Sequence, residues 1–204
     1  MAMVDSGMAG SGIVGILLAA GRGRRFDPSG AHNKLLQPLA HGEPVVVASA
    51  RKLLAALPRV LAVVRPGDDA VAEALRAAGC DVTVCADADS GMAASLAHAV
   101  GQARAASGWL LALGDMPHVQ SATMRLLAQA LAQPQPGAAQ IAVPLCQGRR
   151  GNPVAFGRLY LPQLLALQGD QGARGLLARY PVTEVEVADP GIWQDIDTRA
   201  DLAG

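Results

Sequence analysis

The feature that most constrains the fold is an apolar run that ends in a glycine- and arginine-rich segment. Residues 12–20 read Gly-Ile-Val-Gly-Ile-Leu-Leu-Ala-Ala, which has the composition of a strand buried on both faces. Residues 21–25 read Gly-Arg-Gly-Arg-Arg, and glycine allows the tight turns that bring backbone N–H groups close to an anion. A buried strand that ends in such a loop predicts a nucleotide site at the carboxyl edge of a sheet.

Cationic side chains follow this strand at Arg22, Arg24, Arg25 and Lys34. Arginine and lysine donate charged hydrogen bonds to phosphate oxygens, so these side chains can neutralise a polyphosphate. The loop lacks the third glycine of a dinucleotide-binding fingerprint and the Gly-Lys-Ser/Thr ending of a Walker P-loop. Taken alone, the loop is therefore also compatible with a solvated surface turn.

Strand-like and helix-like segments alternate through the first two-thirds of the chain. After the first strand, the sequence predicts strands at 60–64, 82–85, 109–113, 140–143, 154–156 and 183–187. It predicts helices at 45–57, from the cap Asp68 to 78, at 92–105, from 121, and near 161–167 and 173–179. This alternation predicts parallel strands with right-handed crossovers, hence a single-domain, doubly wound α/β fold with a mostly parallel sheet.

The chain divides into two halves within one predicted domain. Residues 1–11 form a ragged leader that we expect to be disordered. The domain at 12–204 comprises a nucleotide-binding half at 12–132 and a second half at 138–204, separated by the Pro/Gln-rich segment at 133–137. The second half is too short to bury a core of its own, so that segment is a seam inside the domain.

Composition excludes several classes of function. Lys+Arg and Asp+Glu both number 17, whereas nucleic-acid binders usually carry a basic excess. No apolar window is long enough to predict a membrane span. The three cysteines have no CxxC spacing, which predicts reduced thiols and a cytoplasmic location. Ser95 and His98 lack the third partner of a nucleophilic triad, which argues against a hydrolase.

Carboxylates occupy two positions where a metal ion could bind. Asp115 follows the strand at 109–113 and therefore lies at the same sheet edge as the glycine-rich loop, where it could hold Mg²⁺. Asp195 and Asp197 alternate around an apolar residue, so on an extended segment they point the same way and could complete the site. The alternatives are a turn at Asp115 and capping of a terminal helix by Asp197 or Thr198.

Two polar turns belong to the second half. Arg149, Arg150 and Asn152 lie in a basic turn before a predicted strand. Asp170 and Arg174 lie in a glycine-rich turn that enters a predicted helix, a position that favours anions. Both turns suit the second substrate's pocket, and each could also be an ordinary surface turn.

In their order along the chain, these motifs resemble those of nucleotidyltransferases with the glycosyltransferase-A-like fold. The first match is Leu18-Ala-Ala-Gly-x-Gly-x-Arg25 followed by Lys34. Further matches are Asp87-Ala-Asp-Ser-Gly-Met-Ala-Ala-Ser-Leu96, Gly114-Asp-Met-Pro117, Gly151-Asn-Pro-Val-Ala-Phe156, Gly169-Asp-x-Gly-Ala-Arg174 and Asp195-Ile-Asp-Thr198. The series covers nearly the whole chain and is similar to the branch that contains molybdenum cofactor cytidylyltransferases and their guanylyltransferase relatives.

The resemblance implies an Mg²⁺-dependent transfer of a nucleotidyl group from an NTP to a molybdenum–pterin cofactor. The implied catalytic residues are Lys34, Arg25 and Asp115, and the implied metal ligands are Asp115, Asp195 and Asp197. The implied nucleotide-binding residues are Leu18, Ala19, Ala20, Gly21, Arg22, Gly23, Arg25, Lys34, Ser90, Gly91 and Ser95. Those assigned to the acceptor are Arg149, Arg150, Asn152, Asp170 and Arg174. A molybdoenzyme or its chaperone is the implied macromolecular partner.

Three positions favour CTP over GTP within this resemblance. Ala20 stands where the guanylyl relatives typically have glycine, Gly114 where they often have cysteine, and Asp195-x-Asp197 where they tend to have asparagines. Departures from the family pattern are Phe26-Asp27 in place of methionine-glycine, a longer spacer at 28–33, and Asn152 in place of a frequent histidine. The alternatives are a GTP-using enzyme, another phosphorylated acceptor such as a sugar phosphate or methylerythritol phosphate, and a non-catalytic cofactor-binding chaperone.

Overall fold

The computed structural model describes residues 12–28, 32–133, 137–170 and 172–203. The predicted leader and residues 134–136 of the predicted seam lie outside these ranges. The division into two halves stays a prediction.

One mixed sheet forms the centre of the molecule. Its strands are β1 (Ile13–Leu18), β2 (Val60–Val64), β3 (Asp81–Val84), β4 (Gly108–Leu113), β5 (Ile141–Cys146), β6 (Arg149–Arg150), β7 (Val154–Gly157) and β8 (Thr183–Glu186). The strand order is β3-β2-β1-β4-β7-β5-β6, and β8 pairs with β5. Pairing is parallel except where β6 or β7 takes part. The predicted α/β fold with a mostly parallel sheet is confirmed.

The helices are α1 (Val45–Leu54), α2 (Asp69–Ala77), α3 (Met92–Gln102), α4 (Ser121–Ala132), α5 (Leu161–Leu165) and α6 (Arg174–Arg179). Short 3₁₀ segments occur at Lys34–Leu36, Ala88–Ser90, Arg158–Tyr160, Pro190–Trp193 and Ala200–Ala203. Four predicted helices end earlier than expected: α1 stops at Leu54 and α3 at Gln102, three residues early, and α2 and α5 stop one and two residues early, at Ala77 and Leu165. Asp68 directly precedes α2, but its side chain accepts no hydrogen bond from the helix start.

Alternate side chains along the strands fill two separate cores. On β1, Leu17 packs in a cluster with residues of α1, α2 and α4, whereas Ile16 packs in a cluster with residues of α3 and α5. On β4, Leu110 and Leu111 divide between the two faces in the same way. This explains why β1 and β4 read as continuous apolar runs, because both faces of a central strand are covered by helices.

Sheet register brings the ends of β1 and β4 together. Leu18 at the end of β1 pairs with Leu113 at the end of β4, and the backbone N–H of Gly114 donates to Leu18 O at 2.9 Å. The glycine-rich loop and Asp115 therefore leave the sheet side by side, as expected for a ligand site at the carboxyl edge.

Candidate active site

A cavity of about 650 Å³ opens at the carboxyl ends of β1 and β4. Thirteen of its lining residues are sequence-predicted site residues: Leu18, Ala19, Ala20, Gly21, Arg22, Gly23, Arg25, Lys34, Gly91, Ser95, Asp115, Asp170 and Asp197. The remaining lining residues are Arg24, Phe26, Leu35, Ala88, Asp89, Met92 and Leu113. Pockets of this size commonly bind small molecules.

The glycine-rich loop is shaped by Gly23 and anchored by Phe26. Gly23 has φ +60°, in the left-handed region that favours glycine, and its carbonyl accepts from the backbone N–H groups of Phe26 and Asp27 at 2.9 and 3.1 Å. Phe26 is buried in a small apolar cluster with Leu39 and Ile196. The phenylalanine that departs from the family pattern thus fastens the loop against the segment that carries Asp197.

Lys34 reaches the cavity from a short 3₁₀ segment. Asn33 caps this segment, since its Oδ1 accepts from the backbone N–H of Leu35 at 3.0 Å. The Lys34 side chain is only 10% exposed. Its Nζ donates to Asp115 Oδ2 at 2.8 Å and to Asp197 Oδ1 at 3.4 Å. Two carboxylates from distant parts of the chain therefore converge on one cation.

The C-terminal segment is tied to the end of β4 by its backbone. The N–H of Ile196 donates to Asp115 O at 2.9 Å. Asp197 accepts from Arg25 through Oδ2 at 2.8 Å, so its two carboxylate oxygens face Arg25 and Lys34. The Arg25 side chain is 83% exposed. Exposed ion pairs contribute at most about 1 kcal/mol, so a phosphate group could take this arginine from Asp197 at small cost.

The turn around Asp197 is held by Asp201. Asp201 Oδ2 accepts from the backbone N–H of Asp197 at 3.0 Å and from the N–H and hydroxyl of Thr198 at 2.6 and 2.9 Å. The hydrogen bonds from Thr198, followed by that from Asp197, lower the pKa of the Asp201 carboxyl. The Thr198 hydroxyl donates to Asp201, and neither it nor the Asp197 carboxylate accepts a hydrogen bond from a backbone N–H of the residues described in this turn. The carboxylate that binds the backbone here is Asp201, and Asp197 is left to face the cavity.

Asp195 does not join the other two predicted metal ligands. It is exposed and does not line the cavity, whereas Asp197, on the other side of the buried Ile196, does. Among the described residues, no group of three or more His, Cys, Asp or Glu side chains is arranged to hold a metal ion. The Asp115 and Asp197 carboxylates do converge, since both contact Lys34 Nζ.

A network of three charges borders the cavity on the side of α3. Arg22 pairs with Asp89 through both its Nε and a terminal nitrogen, and Arg65 approaches the same carboxylate at 2.7 Å. The Arg22 hydrogen bond is the largest cause of the lowered pKa of Asp89. Asp89 also raises the pKa of the Arg22 guanidinium through the same hydrogen bond. Asp89 lay inside a recognised motif, but no sequence pattern indicated its pairing with Arg22.

The predicted acceptor residues divide between two places. Asp170 lines the cavity beside Gly91, whereas Arg149, Arg150, Asn152 and Arg174 do not line it. Arg149 stacks on the Trp193 ring at 5.0 Å, and Arg150 pairs with Glu184 at 2.6 Å. The backbone N–H of Asn152 donates to Ile192 O at 2.9 Å.

The remaining predicted site residue, Ser90, is exposed and lies outside the cavity lining. Trp193, which was not singled out from the sequence, supports Arg149. Nothing local to Trp193 signals this contact in the sequence, because the partners meet only through tertiary packing.

Comparison of the sequence with models of known protein families identifies one matching family. The family model described as a MobA-like NTP transferase domain matches residues 15–185. No curated protein matches the chain. None of the helices described is long and apolar enough to cross a membrane.

Among solved structures, Rv0371c of Mycobacterium tuberculosis is 32% identical, with a TM-score of 0.78 over 95% of this chain and 96% of that one. A structure of Rv0371c in complex with manganese is 30% identical, with a TM-score of 0.71 over 93% and 95%. A nucleotidyl transferase from Methanothermobacter is 26% identical, with a TM-score of 0.76 over 93% of each chain.

Proposed function

The chain belongs to the MobA-like NTP transferase family, and from that premise we propose that it transfers CMP from CTP to the terminal phosphate of a molybdenum–pterin cofactor. Family membership supports nucleotidyl transfer in general, and the donor base and the acceptor are the proposed part. The observation that carries the proposal is the convergence of Asp115 and Asp197 on Lys34 beside a glycine-rich loop. A non-catalytic binder has no need of two carboxylates at the phosphate end of its cavity.

In the proposed reaction, an oxygen of the acceptor phosphate attacks the α-phosphorus of CTP and pyrophosphate leaves. The nucleophile is already ionised at neutral pH, so no residue has to remove a proton. Lys34 and Arg25 neutralise charge on the phosphates, and backbone N–H groups of Gly21 and Gly23 approach the anion closely. Catalysis then consists of positioning the two substrates and stabilising charge.

We further propose that Asp115 and Asp197 hold Mg²⁺. Their carboxylates both reach Lys34 Nζ, so they can share one cation, and carboxylate oxygens are the ligands that Mg²⁺ prefers. The manganese complex of the Mycobacterium tuberculosis relative supports a divalent ion. Bound Mg²⁺ supplies positive charge to phosphate oxygens. Asp195 lies outside the cavity lining, and its role as a ligand stays a prediction.

The choice of CTP depends on Ala20, which is buried in the cavity wall. A side chain at this position leaves less space for the base than the glycine typical of the guanylyl relatives, so a pyrimidine fits better. Replacing Ala20 with glycine should relax the preference for CTP over GTP in competition assays. An unchanged preference would remove this support for CTP.

The proposed acceptor residues outside the cavity are Arg149, Arg150, Asn152 and Arg174. Arg149 forms no ion pair with a described carboxylate, and its stacking on Trp193 leaves its charge available to a phosphate. The product would then be delivered to a molybdoenzyme or its chaperone in the cytoplasm. Cys80, Cys85 and Cys146 are buried free thiols, which is compatible with a reducing compartment.

The test is pyrophosphate release in the presence of Mg²⁺, with each of the four NTPs, with and without isolated molybdenum–pterin cofactor. We expect release with CTP only when the cofactor is added, and loss of release in Asp115→Asn. Glu73→Gln, a matched change on the exposed face of α2, should behave like wild type. Cofactor binding without release from any NTP would indicate the chaperone. Absence of both would indicate a different phosphorylated acceptor.

A further inference from the structure

Four cationic and four acidic side chains line the cavity. Three of the carboxylates are paired with lining cations: Asp89 with Arg22, Asp115 with Lys34, and Asp197 with Arg25. Asp170 differs, since its side chain forms no hydrogen bond or ion pair with any residue that the structure describes. The cavity therefore contains one carboxylate whose acceptor oxygens are available to a ligand.

The position of Asp170 is fixed by the start of α3. The backbone N–H of Ala93 donates to Gly169 O at 3.1 Å, which fastens the loop before Asp170 to the first turn of the helix. Contact is so close that a Cβ at Gly91 would lie 2.6 Å from Gly169 O and would also collide with Asp170 Oδ1. Asp170 thus lies against the start of α3 and lines the cavity there.

The charges of the cavity favour different parts of a nucleotide at different side chains. Lys34 and Arg25, which contact Asp115 and Asp197, would neutralise a polyphosphate. An unpaired carboxylate repels phosphate, so Asp170 suits the uncharged part of the ligand. An ionised carboxylate only accepts hydrogen bonds, so its partner on that part must be an N–H or O–H donor.

We propose that Asp170 reads the donor nucleotide by accepting a hydrogen bond from the exocyclic amino group of its base. This inference rests on the proposed function, in which the cavity binds an NTP, and it moves Asp170 from the acceptor to the nucleotide donor. Cytosine presents N4–H to the carboxylate, whereas uracil presents the carbonyl O4, which the carboxylate repels. Asp170 thereby admits CTP and rejects UTP, and rejection by an unfavourable contact is an effective source of specificity.

The test compares wild type with Asp170→Asn, a nearly isosteric change at an exposed position. Asparagine can turn its amide to donate to O4 or to accept from N4–H, so it should tolerate both bases. We would measure dissociation constants of CTP and UTP by calorimetry with Mg²⁺ and without acceptor. The expected result is a CTP preference in wild type that falls by about tenfold in Asp170→Asn, as for one hydrogen bond to a charged group. Glu73→Gln should keep the wild-type ratio.

Three results would overturn the inference. The first is a CTP-to-UTP ratio that is the same in wild type and Asp170→Asn. The second is lost discrimination against 2′-deoxy-CTP with unchanged discrimination against UTP, which would place the carboxylate at the ribose. The third is an increased KM for the phosphorylated acceptor with unaltered nucleotide binding, which would return Asp170 to the acceptor site.

Binding measurements separate this inference from the proposed transfer reaction, because they require no acceptor. If wild type binds GTP in place of CTP, the proposed donor is wrong, and the amino group is tested with GTP and ITP, which lacks it. A GTP preference over ITP that falls in Asp170→Asn supports the inference even then. If the preference for GTP over ITP is the same in wild type and Asp170→Asn, the inference about Asp170 is overturned together with the proposed donor.

Discussion

Lys34 Nζ lies 2.8 Å from Asp115 Oδ2, although 81 positions separate the two residues. The contact joins the segment after β1 to the end of β4, so it exists only when the central sheet is assembled. With Asp197 on its other side, the ammonium group balances two carboxylates that would otherwise repel each other. The same three groups that stabilise this edge of the sheet are those proposed to meet the phosphates and the metal ion.

Lys34→Ala should reduce turnover strongly, because it removes the least exposed cation of the cavity. We expect a loss of about 10²–10³-fold in kcat, as for the removal of one group that stabilises developing charge. Stability should fall by about 1–3 kcal/mol, since Asp115 and Asp197 lose their shared partner. Pyrophosphate release and urea unfolding measure the two effects. Lys52→Ala, at an exposed position of α1, is the matched control, and near-normal release in Lys34→Ala would refute the mechanism.

Asp197→Asn and Asp195→Asn should differ in their dependence on Mg²⁺. Asp197 faces Lys34 and Arg25, whereas Asp195 is exposed outside the cavity. Removing the charge of Asp197 should raise the Mg²⁺ concentration needed for half-maximal activity by about tenfold or more. The same change at Asp195 should raise it less. Titration of activity with Mg²⁺ decides the matter, and a larger effect at Asp195 would make it the ligand.

The sequence predicted the parts of the site that depend on local pattern. The apolar runs of β1 and β4 were sufficient to predict that the segments after them, the glycine-rich loop and Asp115, lie at the same edge of the sheet. Nothing in the turn that contains Asp170 shows that the turn packs on the start of α3, so the sequence did not indicate that Asp170 lines the same cavity as the glycine-rich loop. The pairing of Asp89 with Arg22 likewise depends on packing between segments far apart in the chain. The alternation of Asp195 and Asp197 around an apolar residue did not indicate that only Asp197 would line the cavity.

Gly91→Ala should damage the nucleotide site. Gly91 has φ +114°, and a Cβ there would lie 2.6 Å from Gly169 O, so alanine would be strained and would push the loop before Asp170 away. We expect weaker CTP binding and a destabilisation of about 1–3 kcal/mol. Gly175→Ala is a matched control in α6, where no atom lies within 4 Å of the new Cβ. It should stabilise the protein by up to about 1 kcal/mol through helix propensity.

The last prediction concerns pH, through Asp201. Hydrogen bonds from Thr198 and Asp197 lower the pKa of the Asp201 carboxyl in the folded protein. A group with a lowered folded pKa contributes stability above its unfolded value, about 3.9 for aspartate, and that contribution is lost as the pH falls through the folded pKa. Asp201→Ala should therefore be less stable than wild type at pH 7, with a difference that narrows as the solution is acidified below about pH 4.

Urea unfolding of both proteins at pH 7, 5 and 3 measures this difference directly. Because Asp201 also holds the backbone of Asp197, Asp201→Ala should lower kcat at pH 7, and Asp201→Asn should restore part of it, since its amide oxygen can still accept from that N–H. A stability difference that stays constant from pH 7 to pH 3 would show that the charge of Asp201 does not stabilise the turn. Equal kcat in wild type and Asp201→Ala would show that the turn held by Asp201 is not needed to position Asp197 for catalysis.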